Sequence, residues 1–407
     1  MGINTNYIYF HSIKKKKLTF YIVSFFILIK YKYLNERKIL IMIRNIWLNI
    51  VKDRVLQVVS IIWLALLFLK PMNIADIDVN TIVLLFNLML IIALIKRVGM
   101  LDYISEAIIK RVKTTRQVVM WMTMVSFISS MLVTNDVAII TLVPLYIMVA
   151  KKYELPFIYP IILITIAANL GSAVTPIGNP QNVFLVEYYK ISLKQFFGHS
   201  LWLLILGLIT ITVLLMFCSN KEIDTSAVKN ISIKNRYLLI VSALLILVLL
   251  AQFSIISIWL DLLITLLLVE TINYKCIADV DYSLLLSFVG FFLIVGMISR
   301  FTWIVNMINH FTGNSIATYL TSMGSSEVIS NVPTAVLISK FSGNFSAIYA
   351  GVSIGGLGTL VASLANLLAY KQVSLNLPEY SNKFIKYFLL INVIVLVLLS
   401  MVKIFFI

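Results

Sequence analysis

Long apolar runs follow one another along most of the chain and are separated by short charged segments. An apolar run of about 20 residues is long enough for one helix to cross a bilayer. The composition agrees, because 61% of the residues are hydrophobic, 12% are charged and the mean hydropathy is +1.00. The pattern predicts an all-α polytopic membrane protein, with spans near residues 55–70, 79–95, 157–175, 197–218, 237–252, 254–272, 283–299, 345–369 and 384–402.

Two further apolar segments, 118–150 and 315–340, are interrupted by short polar breaks. The first break reads Thr134-Asn135-Asp136 and the second reads Ser330-Asn331-Val332. Each segment is barely long enough for two thin crossings. We therefore expect two re-entrant hairpins, each of which enters the membrane and returns to the same side.

Each hairpin is followed by a span that carries Gly, Pro, Ser, Thr and Asn where a membrane helix is normally apolar. The first broken span covers 157–182 and the second covers 345–370. Such residues leave backbone groups unpaired, and lipid offers them no partner, so the breaks are expected to line a cavity walled by protein. Breaks at corresponding positions of two halves are typical of a transporter's binding site.

The order of these elements is repeated along the chain. An odd number of crossings separates the two copies, so the second copy is expected to be upside down relative to the first. The sequence thus predicts two inverted repeats, each with a re-entrant hairpin and a broken transmembrane helix. The expected divisions are a basic N-terminal region at 1–54, a first repeat at 55–218, a linker and connecting span at 219–253, and a second repeat at 254–407.

The net charge of +16 comes from Lys and Arg that lie mostly at span ends. Their distribution places the N-terminus in the cytoplasm of a multi-pass cell-membrane protein, and it indicates orientation rather than nucleic-acid binding. Residues 1–41 are either an additional anchor or an extension before a start at Met42. A second amphipathic stretch, 97–117, is expected to lie along the cytoplasmic surface.

The polar residues of the four breaks are the candidate substrate or ion ligands. A helix that ends at membrane depth offers carbonyls to a cation, and one that begins there offers N–H groups to an anion. Capping and close helix packing account for any single residue equally well, but they do not account for the duplicated pair of breaks. The candidates are Thr134, Asn135, Asp136, Gly171, Ser172, Thr175, Gly178 and Asn179 in the first half, and Ser330, Asn331, Thr334, Gly358, Thr359, Ser363 and Asn366 in the second half.

Two carboxylates of the hairpins are candidate proton carriers. Asp136 lies at the first tip, and Glu327 lies one helical turn before Asn331. Ionisable residues at membrane depth are costly and usually functional. The alternatives are a water-facing cap for Asp136 and a hydroxyl-paired polar residue for Glu327. No cofactor is predicted, and no resident metal is expected beyond a transported or coupling Na⁺.

Three motifs together resemble the ArsB/NhaD and citrate-transporter-like (CitM) permeases of the ion transporter superfamily. They are Leu132-Val-Thr-Asn-Asp-Val-Ala-Ile-Ile-Thr-Leu-Val-Pro144, Asn169-Leu-Gly-Ser-Ala-Val-Thr-Pro-Ile-Gly-Asn-Pro-Gln-Asn182 and Val328-Ile-Ser-Asn-Val-Pro-Thr-Ala335. The resemblance covers about residues 42–407. It implies a transporter, not an enzyme, that moves a small ion in the lipid bilayer, coupled to Na⁺ or H⁺. It also implies a homodimer with an elevator-like moving domain.

The tips differ from those of the related sodium–dicarboxylate symporters, which carry Ser-Asn-Thr twice. Asp136 would repel a dicarboxylate, and it suits a cation, a proton-coupled step or a neutral oxyacid such as arsenite. The sequence therefore predicts a secondary active transporter of a small inorganic or organic ion or oxyanion. A Na⁺/H⁺ antiporter and a passive ion channel remain as alternatives.

Overall fold

The computed structural model of the chain describes residues 50–100, 112–222 and 235–405, together with residues 43, 44, 46–48 and 103. Over these residues the protein is all-helical. The first half contains α1 (Arg54–Leu67), α2 (Val79–Arg97), α3 (Thr115–Val133), α4 (Asn135–Lys152), α5 (Ile158–Val174), α6 (Pro180–Tyr189) and α7 (Leu193–Met216). A connecting helix, α8 (Asn235–Gln252), follows. The second half contains α9 (Ile258–Asn273), α10 (Tyr282–Ile298), α11 (Thr302–Phe311), α12 (Ser315–Ile329), α13 (Asn331–Ser339), α14 (Phe345–Gly355), α15 (Leu364–Asn376) and α16 (Ser381–Phe405).

Side-chain caps fix where several of the spans begin. The carboxylate of Asp53 accepts a hydrogen bond from the backbone of α1, and Asp78 and Asp281 do the same for α2 and α10. Ser192 and Gln195 form a reciprocal capping box at the start of α7. Such caps satisfy N–H groups that the first helical turn leaves free.

Fewer helices have the length and hydropathy of a membrane span than the nine apolar spans predicted. Among the described residues, five helices are long and apolar enough to cross a membrane: Val79–Arg97, Thr115–Val133, Leu193–Met216, Asn235–Gln252 and Pro378–Phe405. The segments Ile258–Asp279 and Tyr282–Ile298 pass only as a pair, bent by 67°. The other predicted spans are shorter because polar breaks interrupt them, or because caps and turns consume their ends.

Both hairpins and both broken helices are present. The arms α3 and α4 extend the first hairpin slightly beyond the predicted 118–150, and α12 and α13 match 315–340 closely. The broken helices are longer than predicted, because α6 continues to Tyr189 instead of ending at 182 and α15 continues to Asn376 instead of 370. Glu187 accounts for the first extension: it is buried and accepts a hydrogen bond from Asn80, so this charged residue does not end the helix.

The two halves match in element order and in the contacts between helices. The first arm of each hairpin packs against the first part of the broken helix in the same half, α3 on α5 and α12 on α14. Contacts between the halves are also matched, because α2 packs on α9 while α1 packs on α10, and α4 packs on α15 while α6 packs on α13. Helix α5 lies at the centre and is buried from Pro160 to Val174. The upside-down orientation of the second repeat, the re-entrant path of the hairpins and the domain divisions stay predictions.

Some predicted features lie outside the described residues. They include residues 1–41 with Met42, most of the amphipathic stretch at 97–117 and most of the linker at 219–236.

Candidate binding site at the hairpin tips

Each hairpin tip turns through one residue with an unusual backbone. Thr134 has φ 70° and ψ 152°, and Ser330 has φ 76° and ψ 154°. This region is normally accessible only to glycine, and a side chain held there costs about 1–3 kcal/mol. Neither hydroxyl forms the capping hydrogen bond that its position would allow. Capping therefore does not account for the polar character of Thr134 and Ser330.

A chain of amides connects the first tip to the second half. Asn135 donates through Nδ2 to Asn169 Oδ1 at 2.9 Å and to Ser363 Oγ at 3.3 Å. Asn169 in turn donates through its own Nδ2 to Asn366 Oδ1 at 2.7 Å. All four side chains are buried, so these bonds form away from bulk water. The first hairpin, the first broken helix and the second broken helix are thus held together by directional contacts.

Both breaks are organised by one asparagine in the same way. Asn182 Nδ2 donates to the carbonyls of the residues 10, 9 and 7 positions before it. Asn366 Nδ2 donates to the carbonyls at the same three spacings. These carbonyls are the ones that a helix leaves unpaired at its end. Each carbonyl oxygen has two lone pairs, so one remains for another ligand.

The broken helices are fixed to the hairpins by equivalent contacts. Thr175 donates through its hydroxyl to the Met131 carbonyl, and Thr359 donates likewise to the Glu327 carbonyl. Beside these bonds, glycine residues let one backbone segment pack closely against another. A Cβ at Gly171 would lie 2.1 Å from the Phe127 carbonyl oxygen, and one at Gly178 would lie 2.3 Å from that of Ser172. Gly171, Gly178 and Thr175 therefore serve the packing of the site.

The second tip is joined to its break mainly through the backbone. The Asn331 N–H donates to the Ala362 carbonyl at 3.0 Å. Glu327 accepts a hydrogen bond through Oε2 from the Thr359 N–H at 2.6 Å, and a Cβ at Gly358 would lie 2.1 Å from its Oε1. Glu327 thus accepts a hydrogen bond from a backbone N–H group of the second break. Thr334 is buried, and its hydroxyl has no hydrogen-bond partner among the described residues.

A cavity of about 660 Å³ lies against both tips. The lining contains the first residues of four helices: Asp136 of α4, Pro180 of α6, Asn331 of α13 and Leu364 of α15. Helix N-termini carry a partial positive charge. Here the N–H groups of Asp136 and Asn331 already donate to Asn135 Oδ1 and to the Ala362 carbonyl, and Pro180 has none. The rest of the lining is largely apolar and includes residues of α1 and α10, namely Val58, Val59, Ile62, Phe291, Ile294 and Val295.

The charged side chains that line this cavity are all acidic within the described part of the chain. Asp136 is at the tip, and Asp53 and Asp281 lie where α1 and α10 begin. Burial raises the pKa of the Asp281 carboxyl, and the Asp53 carboxylate adds to that rise. Lys96 is close enough to interact electrostatically with Asp136 and Asp281, but it does not line the cavity. The electrostatic environment therefore combines helix N-termini with carboxylates.

The structure divides the predicted site residues into two groups. Those that line the cavity are Asp136, Asn179, Ser330, Asn331 and Ser363. Those that support this surface from behind or within the breaks are Thr134, Asn135, Gly171, Ser172, Thr175, Gly178, Thr334, Gly358, Thr359 and Asn366.

The candidate set omitted four residues that the structure brings into the site. Asn169 and Asn182 hold the amide network, although both belong to the second of the three motifs. An Asn inside a buried apolar helix was the available signal for Asn169. Asp53 and Asp281 were missed because they lie at span ends and look like ordinary caps, a role that they also fill.

Comparison with known proteins identifies the family. The model of the family described as CitMHS, citrate transporter, matches residues 39–344. The chain is similar to the uncharacterized transporter MJ0456 of Methanocaldococcus jannaschii, with 35% identity over 77% of this chain and 86% of the relative. It is also similar to the inner membrane protein YbiR of Escherichia coli, with 29% identity over 79% of this chain and 88% of the relative.

A shorter match joins the chain to a plant protein. The silicon efflux transporter LSI3 of Oryza sativa subsp. japonica is 30% identical over 38% of this chain and 32% of the relative. The family and these relatives are named as transporters rather than enzymes, apart from YbiR, which is named as a membrane protein. The chain belongs to the CitMHS citrate transporter family, and it is a multi-pass membrane transporter of ions.

Proposed function

We propose that this protein is a secondary active transporter of a small oxyanion that its site binds in the protonated, uncharged form, as arsenite would be bound as arsenous acid. Transport is driven by a Na⁺ or H⁺ gradient. The proposal rests on one observation: the N-terminal residues of four helices line the same cavity as the tip carboxylate, Asp136.

Such a surface offers both donors and acceptors. The N–H groups of the first helical turns that are not already bonded can donate to oxygen, and the positive helix ends favour it, whereas Asp136 accepts from a hydroxyl group. The neutral side chains of Asn179, Ser330 and Ser363 can either donate or accept a hydrogen bond. An uncharged oxyacid has oxygens that accept and hydroxyls that donate, so it pairs with the whole surface. The name of the rice relative, a silicon efflux transporter, is in keeping with an inorganic solute of this kind.

The same electrostatic argument disfavours a citrate-like polyanion, despite the name of the family. Among the described residues, no Lys or Arg lines the cavity, whereas Asp53, Asp136 and Asp281 do. A trivalent anion would meet like charges without a cationic partner, and desolvation would add to the cost. An uncharged solute avoids both penalties.

A Na⁺/H⁺ antiporter is the second candidate, and Asp136 is the observation that favours it. Asp136 lines the cavity, and its carboxylate and the carbonyls of the first break are hard oxygen ligands of the kind that Na⁺ prefers. In this alternative Asp136 would itself exchange Na⁺ for protons.

Transport by purified protein in liposomes separates these functions. Vesicles that contain a pH-sensitive dye would receive Na⁺, Li⁺, arsenite, silicic acid or citrate, each with and without an imposed gradient. We expect saturable accumulation of an uncharged oxyacid that depends on a Na⁺ or H⁺ gradient. Proton movement with Na⁺ or Li⁺ alone, lost in Asp136→Asn, would instead establish the antiporter. Flux that never accumulates solute would indicate a passive channel.

Substitutions at the tips test where the solute binds. Asn135→Ala and Asn331→Ala should each abolish transport while the protein still inserts and folds. Asn376→Ala is the matched control, because Asn376 is an exposed asparagine at the end of α15, far along the helix from its N-terminus. Retained uptake in both tip variants would reject the hairpin-tip site.

A further inference from the structure

A second polar site lies away from the hairpin tips, in the contact between α2 and α9. Asp261 of α9 and Asn87 of α2 are both fully buried, and Asn87 Nδ2 donates to Asp261 Oδ2 at 2.5 Å. Thr265 lies one helical turn after Asp261, on the same face of α9, and is also fully buried. The three side chains thus form one cluster between the first half and the second half.

Several polar atoms of this cluster are unpaired. Asn87 Oδ1, Asp261 Oδ1 and Thr265 Oγ1 are all buried and have no hydrogen-bond partner among the described residues. An ionised carboxylate only accepts hydrogen bonds, so it could not pair with Asn87 Oδ1, which also only accepts. Buried polar atoms in folded proteins are rarely left unpaired, and a donor on Asp261 itself would satisfy this cluster better than a carboxylate.

No basic group in the described part of the chain is placed to neutralise Asp261. The described elements that pack on α9 are α2, α8 and the short helix Tyr274–Asp279. Their charged residues lie far from Asp261: Lys96 and Arg97 are more than two turns beyond Asn87 on α2, and Arg97 is paired with Asp279. The others are Arg236 at the opposite end of α8, Lys275 of the short helix, and Glu270 at the far end of α9 itself.

We propose that Asp261 binds a proton and that the α2–α9 contact is a proton-binding site separate from the hairpin-tip cavity. The proton gives the Asp261 carboxyl a donor of its own, and it removes a buried negative charge that has no counter-ion nearby. A neutral carboxylic acid can donate through one oxygen while it accepts from Asn87 through the other. Loss of the proton would leave an unpaired charge where the two halves meet, and the contact would weaken.

The proposal predicts how the stability depends on pH. Once unfolded, Asp261 ionises near pH 4, like any exposed aspartate. If the folded protein keeps the proton above that pH, the folded state binds one more proton than the unfolded state. This difference of one proton raises the equilibrium constant for unfolding by up to about tenfold per pH unit, until the folded protein also loses the proton. Asp261→Asn keeps the shape and stays neutral, so this part of the pH dependence should disappear.

The experiment compares the wild type, Asp261→Asn and Glu270→Gln in detergent. Thermal unfolding is followed from pH 4 to pH 8, and the infrared C=O stretch of protonated carboxylic acids is recorded at neutral pH. Glu270→Gln is the matched control, because it removes a carboxylate from the same helix and should leave both signals as in the wild type. We expect the wild type to lose stability as pH rises and to show a carboxylic-acid band that Asp261→Asn lacks.

The opposite results would overturn the proposal. They are an unchanged spectrum in Asp261→Asn, or the same pH dependence in that variant as in the wild type. Stabilisation of the wild type by Na⁺ that is lost in Asp261→Asn, without any carboxylic-acid band, would indicate a cation in place of the proton. If Asp261→Asn does not fold, Thr265→Val gives the test, because removal of the hydroxyl acceptor should shift the same band in frequency.

Discussion

The two broken helices have the same hydrogen-bond framework but differ in the residues added to it. In both halves one asparagine side chain donates to three backbone carbonyls, and one threonine hydroxyl donates to a carbonyl of the hairpin. The added residues differ at equivalent positions. Asn169 of the first half corresponds to Ser353, Asp136 corresponds to Val332, and Met131 corresponds to Glu327 of the second half.

These differences show that a repeated backbone does not imply a repeated site. Within the described residues, only the first half carries a carboxylate at its tip and, at the position of Asn169, an amide that donates to the break of the other half. Of the two described breaks, only the second has a carboxylate that accepts a hydrogen bond from its backbone N–H groups. A solute that binds between the tips, as proposed, would therefore meet two different surfaces.

The largest expected difference in stability concerns the two organising asparagines. Asn366→Ala removes three carbonyl contacts and also the bond from Asn169, whereas Asn182→Ala removes only carbonyl contacts. Both should destabilise the protein by roughly 3 kcal/mol or more, because buried carbonyls lose their donor. Asn366→Ala should cost about 1–3 kcal/mol more. Thermal unfolding of the two variants measures the difference, and equal losses would mean that the contact between the halves adds nothing.

The packing glycines should give the next largest difference. A Cβ at Gly171 would lie 2.1 Å from a backbone carbonyl, whereas one at Gly355 would lie 2.7 Å from the equivalent carbonyl. Overpacking of this kind costs about 1–3 kcal/mol, so Gly171→Ala should lower the melting temperature more than Gly355→Ala. Gly198 has open space around it, and Gly198→Ala should be neutral or stabilising. A greater loss in Gly355→Ala than in Gly171→Ala would contradict the geometry.

Glu327 can be converted to its counterpart in the first half. Glu327→Met leaves the Thr359 N–H without its acceptor, which should cost about 1–3 kcal/mol in unfolding free energy. Glu327→Gln keeps an acceptor oxygen and should recover most of this loss in chemical or thermal unfolding. If Gln and Met are equally destabilising, the contact with Thr359 is not what Glu327 contributes.

The smallest effects are expected at the two threonines. Thr175→Val and Thr359→Val each remove one buried hydrogen bond to a hairpin carbonyl, worth about 1 kcal/mol. Thr359→Val should lower the melting temperature slightly more, because the Thr359 hydroxyl also accepts from the Ala362 N–H at 3.1 Å. Losses in the reverse order would show that the two breaks are fixed to their hairpins in different ways.

The sequence was informative where polar residues interrupt apolar runs. That contrast located both hairpins and both breaks, because an unpaired backbone group is too costly to face lipid and must be enclosed by protein. The contrast does not locate the end of α6, because a charged residue such as Glu187 suggests a loop. Its partner in the structure is Asn80, which lies 107 residues away in the sequence. The bond between Asn169 and Asn366 spans 197 residues, and local patterns carry no information about such distant pairs.

The buried amide chain from Asn135 through Asn169 to Asn366 also has a thermodynamic consequence. It joins the first hairpin tip to the break of the other half, so a ligand that shifts one end changes the free energy of the other. Coupling of this kind is reciprocal: whatever the first site does to affinity at the second, the second does equally to the first. Two ligands bound at the two ends would therefore be cooperative through three side chains, without direct contact between them.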